Sequence, residues 1–474
     1  MDNNVIELGN RLELFIDNFI VENHNGTALK LHTPVVKEKV VEFNSPWDGP
    51  HSTYVTIFED KPAGVYRMYY RGGPLDIKAL EGTTYAKFYQ GVPDRQRSIE
   101  VTCYAESKDG IHWVKPNLGL FEFEGSKNNN IVYMGQPSTN FVPFIDTNPV
   151  VKDGQRYKAV AGGRGLYAYC SSDGLNWERI WPEPVVLLRL EKLGFIPDKK
   201  CGGFDSQNVA FYDSTRGCYV CYYRVNIDGF RYIVRSMSSD FLNWSDPVML
   251  DYGDTEKEQF YTNAITPYPR APHILLAFPK RFHSTRKYVT EHKVVGVSDG
   301  VFMSSRDGVR FDRGFMEAFF RPGRDRSNWT DRNNMAAFGV LQLQPDEVSV
   351  FYTQHYRHAT NCLVRTTVRA DGFVSVNAPH AGGELVTKPL KFTGDKLVIN
   401  YATSAVGYIK IELQDENGNA IPNYTLDDAT ELYGDDIECV YTWKSGSSVA
   451  VLAGKPVRLR IVMKDADLYS IRLS

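Results

Sequence analysis

The heptapeptide Ser171-Ser172-Asp173-Gly174-Leu175-Asn176-Trp177 decides the fold, because closely similar stretches recur along the chain. The related stretches are Ser107-Lys108-Asp109-Gly110-Ile111-His112-Trp113, Ser238-Ser239-Asp240-Phe241-Leu242-Asn243-Trp244, Ser305-Arg306-Asp307-Gly308-Val309-Arg310-Phe311 and the weaker Arg369-Ala370-Asp371-Gly372-Phe373. Between positions 109, 173, 240, 307 and 371 the aspartates are separated by 64, 67, 67 and 64 residues. Such regular steps with matching chemistry indicate five structural repeats.

Each Asp-Gly pair is typical of a tight turn, and the Trp or Phe that follows it is expected to pack between repeats. Between these turns, short apolar and aromatic runs alternate with Gly, Pro and Asp, and helical periodicity is almost absent. Four strands in about 65 residues are typical of a propeller blade, which buries its apolar faces only by stacking on its neighbours. The sequence therefore predicts an all-β chain with a five-bladed β-propeller over residues 46–378.

The residues on either side of the repeats are predicted to form separate parts. Residues 1–45 contain short strand-like runs and are interpreted as lead-in strands. Residues 379–474 lack the repeat pattern, and runs such as Gly407–Leu413 alternate apolar and polar side chains, as a half-buried sheet does. The expectation is a C-terminal β-sandwich.

Composition and charge exclude several classes of partner. The formal net charge is −3, so neither nucleic acid nor an anionic membrane surface is expected as a partner. No apolar run approaches the 18 or so residues of a transmembrane helix.

Met1-Asp2-Asn3-Asn4 does not begin a secretion signal. The location predicted for the chain as numbered is cytoplasmic, or periplasmic or secreted if a signal was removed, and the oligomeric state stays open.

The cysteines give no indication of a metal or cofactor. Their number, seven, is odd, and they show no metal-type clustering. Cys218 and Cys221 lie in one strand-like run, where alternation points them to opposite faces. Buried, reduced thiols are the expected state, and no metal and no cofactor are predicted.

Polar residues that open each repeat are the candidates for chemistry, because the first strand of each blade lines the central channel of a propeller. These residues are Asp48 and His51, Asp146, Asp205, Glu258, and Asn333 with Asn334. Gathered carboxyl groups shift one another's pKa values, so one can act as an acid while another stays ionised. Glycosidic bond cleavage needs such a pair.

Five blades followed by a β-sandwich resemble the five-bladed propeller glycoside hydrolases, which include the invertases and levanases of family 32 and the arabinanases and xylosidases of family 43. The tail from Gly383 to Leu468 also resembles that of uncharacterised bacterial family-32-like proteins. The resemblance implies a nucleophile or base in the first blade, an orienting Asp in the second and a Glu proton donor in the third. This chain departs from that pattern: its first blade has Trp47-Asp48-Gly49-Pro50, it contains no Arg-Asp-Pro or Glu-Cys-Pro triplet, and Glu258 lies in the fourth repeat.

The predicted catalytic set is Asp146, Asp205 and Glu258, with Asp48 next. Glu258 is the expected proton donor, since the aromatic residues after it would desolvate it, and Glu256 could replace it. Asp146 or Asp48 would be the base or nucleophile, and Asp205 the orienting group.

A second set of candidates follows the second strand of each repeat and is basic: Arg71, Arg164, Arg224, Arg281 and His355. Guanidinium groups bind carboxylate or phosphate, so this set fits an acidic sugar or an attacking phosphate, unless it pairs with the channel carboxylates. His51, Asn334 and Tyr261 complete the predicted substrate-binding residues, and Trp47 and Trp329 are further candidates for sugar stacking.

The predicted function is therefore a glycoside hydrolase that cleaves a terminal sugar from an oligosaccharide. If the basic residues above bind that sugar, it is expected to be acidic. The alternatives are a glycoside phosphorylase of the same fold and a non-catalytic carbohydrate-binding propeller. The sequence leaves the sugar, the linkage and the stereochemical outcome open.

Overall fold

A computed structural model of the chain describes residues 5–73, 100–135, 138–195 and 201–474, and its regular structure is almost entirely β. The first five strands are β1 (Ile6–Gly9), β2 (Leu12–Leu14), β3 (Val21–Asn25), β4 (Ala28–Leu31) and β5 (Val35–Glu42). The next are β6 (Thr53–Asp60), β7 (Val65–Gly72), β8 (Val101–Ser107), β9 (Trp113–Val114), β10 (Ile131–Met134), β11 (Val142–Ile145), β12 (Tyr157–Ala161), β13 (Tyr167–Ser171), β14 (Glu178–Arg179), β15 (Gly202–Gly203), β16 (Val209–Asp213), β17 (Cys218–Ile227), β18 (Phe230–Ser238) and β19 (Val248–Met249). They are followed by β20 (Phe260–Thr262), β21 (Thr266–Tyr268), β22 (Ala271–Ala277), β23 (Lys280–His283), β24 (Val297–Gly300), β25 (Met303–Ser305), β26 (Met335–Gln344), β27 (Glu347–Gln354) and β28 (Cys362–Arg369). The last are β29 (Val374–Ala378), β30 (Gly383–Thr387), β31 (Leu390–Phe392), β32 (Leu397–Gln414), β33 (Asp435–Val440) and β34 (Arg458–Leu473).

The helices of the described residues are short 3₁₀ turns, at Lys61–Ala63, Ser138–Asn140, Leu190–Leu193, Arg326–Trp329 and Ala450–Leu452. None of them has the length and apolar character needed to span a membrane.

The chain divides into two compact units. The terminal unit consists of Met1–Thr33, Gln344–Val348 and Val368–Ser474, and the repeat unit of Pro34–Leu343 and Ser349–Thr367.

The terminal unit is built on a sheet in which strands from both ends of the chain pair. Its main path is β3-β30-β34-β29-β4, with β2 paired to β34 and β32 paired to both β33 and β34. The long strand β32 extends the predicted run Gly407–Leu413 back to Leu397, and its pairing with β34 shifts register between Thr403 and Tyr408. Alternate residues Ile409, Ile411 and Leu413 are buried in the core of this unit.

The repeat unit consists of antiparallel sheets whose strands mostly follow one another in sequence. The clearest is β11-β12-β13-β14, and β16-β17-β18-β19 has the same order. Strand β5, from the start of this unit, pairs with β28 at its end, as in Cys362 opposite Glu42. A parallel pairing of Phe338 in β26 with Thr56 in β6 joins the sheets of the last and first repeats.

The recurring Asp-Gly stretches form the predicted turns. In the second copy, the carboxylate of Asp173 accepts hydrogen bonds from the backbone N–H groups of Leu175 and Asn176 at 2.8 Å each, and the indole of Trp177 donates to the carbonyl of Gly174. Gly174 has φ +79°, a left-handed conformation that favours glycine. The same carboxylate-to-backbone bonds occur at Asp109, Asp240 and Asp307.

Replacement of Asp173 by alanine should lower the free energy of unfolding by about 1 kcal/mol at pH 7, as loss of a capping carboxylate does. Burial raises the pKa of Asp173, but hydrogen bonds from Asn176 and Leu175 outweigh it and lower the pKa to about 2. A carboxylate with a lowered folded-state pKa stabilises above its unfolded pKa, about 4, and this contribution falls as pH falls towards 2.

Urea unfolding at pH 6 and pH 3 measures this effect. The difference between wild type and Asp173→Ala should shrink at pH 3, whereas the exposed turn residue Asp153, replaced by alanine, should change stability little at either pH. A difference that is independent of pH would contradict the role given to the Asp173 carboxylate.

Candidate functional site

A cavity of about 320 Å³ lies in the repeat unit where polar residues precede the first strands of three repeats. The described residues that line it are His51, Thr53, Tyr54, Arg71, Glu100, Asp205, Tyr261, Arg332, Met335 and Tyr356. His51 lies just before β6, Asp205 before β16 and Arg332 before β26. We call it the Asp205 cavity.

Asp205 presents an ionised carboxylate to this cavity. Its side chain is 72% exposed, and Nη2 of Arg224 donates to its Oδ2 at 3.2 Å. Desolvation raises the pKa of Asp205, but the positive charges of Arg224, Arg71 and Arg332 outweigh it, so the pKa lies below its ordinary value. An exposed carboxylate that stays charged can serve as a base or a nucleophile.

Arg71 is held in a fixed orientation at the cavity wall. Its Nε and Nη2 donate to the carbonyl of His51 at 3.2 and 3.0 Å, Nη2 also donates to the hydroxyl of Tyr356 at 3.1 Å, and its guanidinium lies 4.6 Å from the ring centre of Tyr54. Tyr54 has φ +53°, and the pairing of β6 with β7 is irregular between Thr53 and Thr56. A non-glycine residue in this conformation costs about 1–3 kcal/mol and is often found at functional sites.

Tyr261 is surrounded by cationic side chains. The charged group of Lys280 lies 4.1 Å from the centre of its ring, and those of Arg224, Arg231 and Arg332 lie at 4.6, 5.3 and 5.4 Å. Such contacts between a cation and an aromatic face are attractive, and more so when desolvated. Tyr261 therefore lies in contact with four basic side chains.

Two buried basic residues in this region have lowered pKa values. Burial, reinforced by Arg357, Arg71 and Arg332, holds the pKa of His51 well below its ordinary value. Burial also holds the pKa of the fully buried Lys280 well below its ordinary value, and nearby arginines add to this effect. Both residues are therefore shifted towards their neutral forms.

Five of the residues predicted from the sequence lie together here. His51, Arg71, Asp205 and Tyr261 line the cavity, and Arg224 contacts both Asp205 and Tyr261. Asn334 is fully buried and donates to the carbonyls of Ser298 and Asn328, so it supports the backbone.

Asp146 and Asp48 lie elsewhere. Asp146 follows the carboxyl end of β11, accepts from Nζ of Lys158 at 2.5 Å and from the hydroxyl of Tyr219 at 2.7 Å, and lines a different cavity of about 730 Å³. Asp48 is fully buried and accepts from Nζ of Lys115 at 2.5 Å and from the hydroxyl of Tyr70 at 3.0 Å. Both carboxylates form buried contacts with a lysine and a tyrosine.

Glu258 lies in a third place. It accepts from Nη1 of Arg281 at 2.7 Å and Nη2 of Arg313 at 2.9 Å, and with Glu256 it lines a cavity of about 450 Å³. Arg281 also binds Asp299 at 2.6 Å. The three carboxylates expected to converge therefore line three different cavities.

The remaining predicted residues also lie outside the lining. Arg164 is exposed between β12 and β13. Nε2 of His355 lies 2.9 Å from Oδ2 of Asp325. Of the stacking candidates, the indole of Trp47 donates to Asn130, and Trp329 packs on Tyr288.

Sequence reasoning missed Glu100, Arg332, Tyr54 and Tyr356. The signal that identifies Arg332 is its position directly before Asn333 and Asn334, at the opening of the fifth repeat. Glu100 directly precedes β8, a strand that is not the first of its repeat, and no pattern marked it. Among the residues whose positions are described, no group of three or more His, Cys, Asp or Glu side chains is arranged to hold a metal ion.

The chain matches no protein-family model and no curated protein sequence. It is similar to the solved structure of a β-fructofuranosidase from Schwanniomyces occidentalis complexed with fructosyl-erythritol, at 12% identity and a TM-score of 0.41, over 98% of this chain and 99% of that one. It is also similar to an N-acetylgalactosamine deacetylase from F. plautii in complex with blood group B trisaccharide, at 13% identity and a TM-score of 0.42, over 73% of this chain and 96% of that one. A third similar structure is from the GH130 family of mannoside phosphorylases and glycoside hydrolases, at 13% identity and a TM-score of 0.40, over 75% and 96%. At identities this low, none of these likenesses identifies a catalytic residue here.

Proposed function

We propose that this chain is a glycoside hydrolase that removes a terminal sugar from an oligosaccharide in the Asp205 cavity. The observation that carries the proposal is that two carboxyl groups, those of Asp205 and Glu100, line one small cavity. Cleavage of a glycosidic bond uses one carboxyl group as the proton donor and a second, ionised one as nucleophile or base. The sequence predicted Asp146, Asp205 and Glu258 as the catalytic set, with Asp48 next; this proposal keeps Asp205, gives it a new role, and pairs it with Glu100 in place of the other three.

The environment of Asp205 indicates its role. Because neighbouring arginines keep Asp205 ionised, it suits attack on the anomeric carbon or removal of a proton from the attacking water. Glu100 is assigned the role of proton donor to the oxygen of the leaving group. In the nucleophile route, Glu100 then takes a proton from the water that releases the sugar from Asp205, which restores both groups. In the base route, Asp205 ends protonated and Glu100 ionised, and proton exchange with solvent restores both.

The size and walls of the cavity support a single terminal sugar. A volume of about 320 Å³ lies at the small end of the range for ligand sites, about 300–1,000 Å³. Tyr54, Tyr261 and Tyr356 supply aromatic surface with polar tips, which suits a sugar with both apolar faces and hydroxyl groups.

For the fold, we propose that the repeats at 46–378 form a five-bladed propeller and that residues 379–474 belong to a β-sandwich. The strands β6, β11, β16, β21 and β26 each begin one repeat, and the pairing of β26 with β6 supports a closed ring. The single apolar core of the terminal unit supports packed sheets there.

A second candidate is a glycoside phosphorylase, because arginines gather at the cavity. Arg281 is committed to Glu258 and Asp299, so phosphate would contact Arg71, Arg224 and Arg332 instead. Turnover that requires inorganic phosphate would favour this candidate, and ligand binding without turnover would favour a non-catalytic binding protein.

Replacement of Glu100 by glutamine tests the proposal. In a screen of aryl glycosides and oligosaccharides, the wild type should hydrolyse at least one substrate class. Glu100→Gln should lower kcat on oligosaccharides by about 10²-fold, because general acid catalysis is lost. On a glycoside whose leaving group is an acidic phenol, the kcat of the same variant should fall much less, because that group departs without protonation.

Progress curves of reducing-sugar release measure both cases, with Glu59→Gln as the exposed control at a distance from the Asp205 cavity. Equal losses on both substrates would contradict the role of proton donor, and the absence of hydrolysis across the screen would contradict the proposed function.

A further inference from the structure

We propose that the sugar bound in the Asp205 cavity carries a carboxylate group, and that Arg71, Arg224 and Arg332 bind this carboxylate. The inference rests on the proposed function for the ligand being a sugar, and it defines the class as sugar acids such as hexuronic acids. It concerns recognition, which can be measured without turnover.

Basic side chains gather around the cavity. Among the residues that the structure describes, the guanidinium groups here are those of Arg71, Arg224, Arg231, Arg332 and Arg357, and the carboxyl groups are those of Asp205, Glu100 and Asp331. Guanidinium groups bind carboxylates through paired, charge-assisted hydrogen bonds, so an anionic ligand group suits this wall.

Arg224 supplies the most specific indication of an anion. The residue is only 5% exposed, and its Nη2 donates to Asp205. Its Nε and Nη1 are buried and have no hydrogen-bond acceptor among the described residues. An unsatisfied buried donor is unfavourable, and a carboxylate that reached these two atoms would remove that cost.

The other two arginines are positioned before any ligand binds. Arg71 is fixed by His51, Tyr356 and Tyr54, as described above. Arg332 has φ +61°, and its carbonyl accepts from the buried Lys280 at 3.2 Å. The guanidinium of Arg332 lines the cavity, with its Nε 3.8 Å from Oδ2 of Asp331 and its centre 5.4 Å from the ring centre of Tyr261. Preorganised guanidinium groups are suited to bind a planar carboxylate through paired hydrogen bonds.

A carboxylate on the sugar fits better than free phosphate. The cavity has room for about one sugar ring, so an anion bound together with that ring is best attached to it. Asp205 is ionised, and its repulsion of a phosphate dianion would be about twice its repulsion of a carboxylate at the same distance.

The test measures binding of monosaccharides to the full chain by calorimetry and saturation-transfer NMR. Glucuronate and galacturonate should bind at least about 10-fold more tightly than glucose and galactose, since charge-assisted hydrogen bonds are the stronger ones. Arg332→Gln should weaken uronate binding about 10- to 100-fold and leave neutral sugars unchanged. Arg332→Lys keeps the positive charge but lacks the paired donors of a guanidinium group. Its affinity for uronates should lie between those of the wild type and Arg332→Gln.

Arg310→Gln is the matched control, because Arg310 is an exposed arginine that pairs with Asp251. Thermal melts of all variants establish that they are folded, and if Arg332→Gln is not, Arg332→Lys still provides the comparison with wild type. Equal affinity for uronates and neutral sugars, or equal weakening of both in the Arg332 variants, would overturn the inference.

The outcomes for the ligand and for the reaction are separable. Arginine-dependent uronate binding without hydrolysis of any glycoside would uphold the inference and refute the hydrolase. Hydrolysis of neutral glycosides but not of uronides would uphold the hydrolase and refute the inference about the sugar acid. Turnover of neutral glycosides that depends on inorganic phosphate would assign the arginines to phosphate and overturn the inference.

Discussion

Replacement of Asp205 by asparagine should lower kcat/KM for glycoside hydrolysis by about 10³- to 10⁴-fold, the range expected when a catalytic base or nucleophile is removed. Asparagine has nearly the same shape and can still accept a hydrogen bond from Arg224, so the fold should be retained. The variant lacks the negative charge that attacks the anomeric carbon or accepts the proton of water. Substrate binding should therefore change much less than kcat.

Initial rates from pH 3 to pH 9, together with ligand binding, measure this effect. Because the arginines lower the pKa of Asp205, the acid limb of the wild-type kcat/KM profile should lie below the ordinary aspartate range. Activity falls on that limb as pH falls, since a base must be deprotonated. Asp251→Asn, at an exposed ion pair, is the control. An Asp205→Asn variant within 10-fold of wild type would contradict the proposed site.

The turns were predictable from the sequence because their chemistry is local. The groups that form the second turn all lie within the seven residues from Ser171 to Trp177. The repeated spacing then indicated repeated sheets. The pairing of β2 with β34, which places Leu12 opposite Arg472, was not predictable, since nothing in either short stretch specifies a partner so distant in the chain.

The site was predicted only in part, because it depends on which end of a strand a residue occupies. Asp205 and Asp146 both lie beside apolar runs, but Asp205 precedes β16 whereas Asp146 follows β11. Glu258 precedes β20, which pairs with β23. The first strand of that repeat is β21, which pairs with β22. A polar residue that adjoins one strand rather than the next therefore lies at a different cavity. The amino acids around that residue do not show which strand it adjoins.

Replacement of Asp60 by alanine should destabilise the protein by about 3–5 kcal/mol, the usual effect of removing one partner from a buried ion pair. Asp60 ends β6 and is fully buried. It accepts hydrogen bonds from Arg67 at 2.7 Å, from Arg156 and from the hydroxyl of Tyr157. Because Arg67 lies in the first repeat and Arg156 and Tyr157 in the second, this one carboxylate links two repeats.

Urea unfolding of Asp60→Ala should show this loss in the free energy of unfolding. The control Glu59→Ala, at the exposed neighbouring position, should change the free energy of unfolding by less than about 0.5 kcal/mol. Desolvation raises the pKa of Asp60, but Tyr157 and Arg67 outweigh it, so the folded-state pKa is lowered and the stabilisation is lost as pH falls below about 4. The double variant Asp60→Ala/Arg67→Met should recover part of the loss, since it removes a charge left without its carboxylate. A single variant that loses less than about 1 kcal/mol would mean that the link between the two repeats depends on apolar packing and not on this carboxylate.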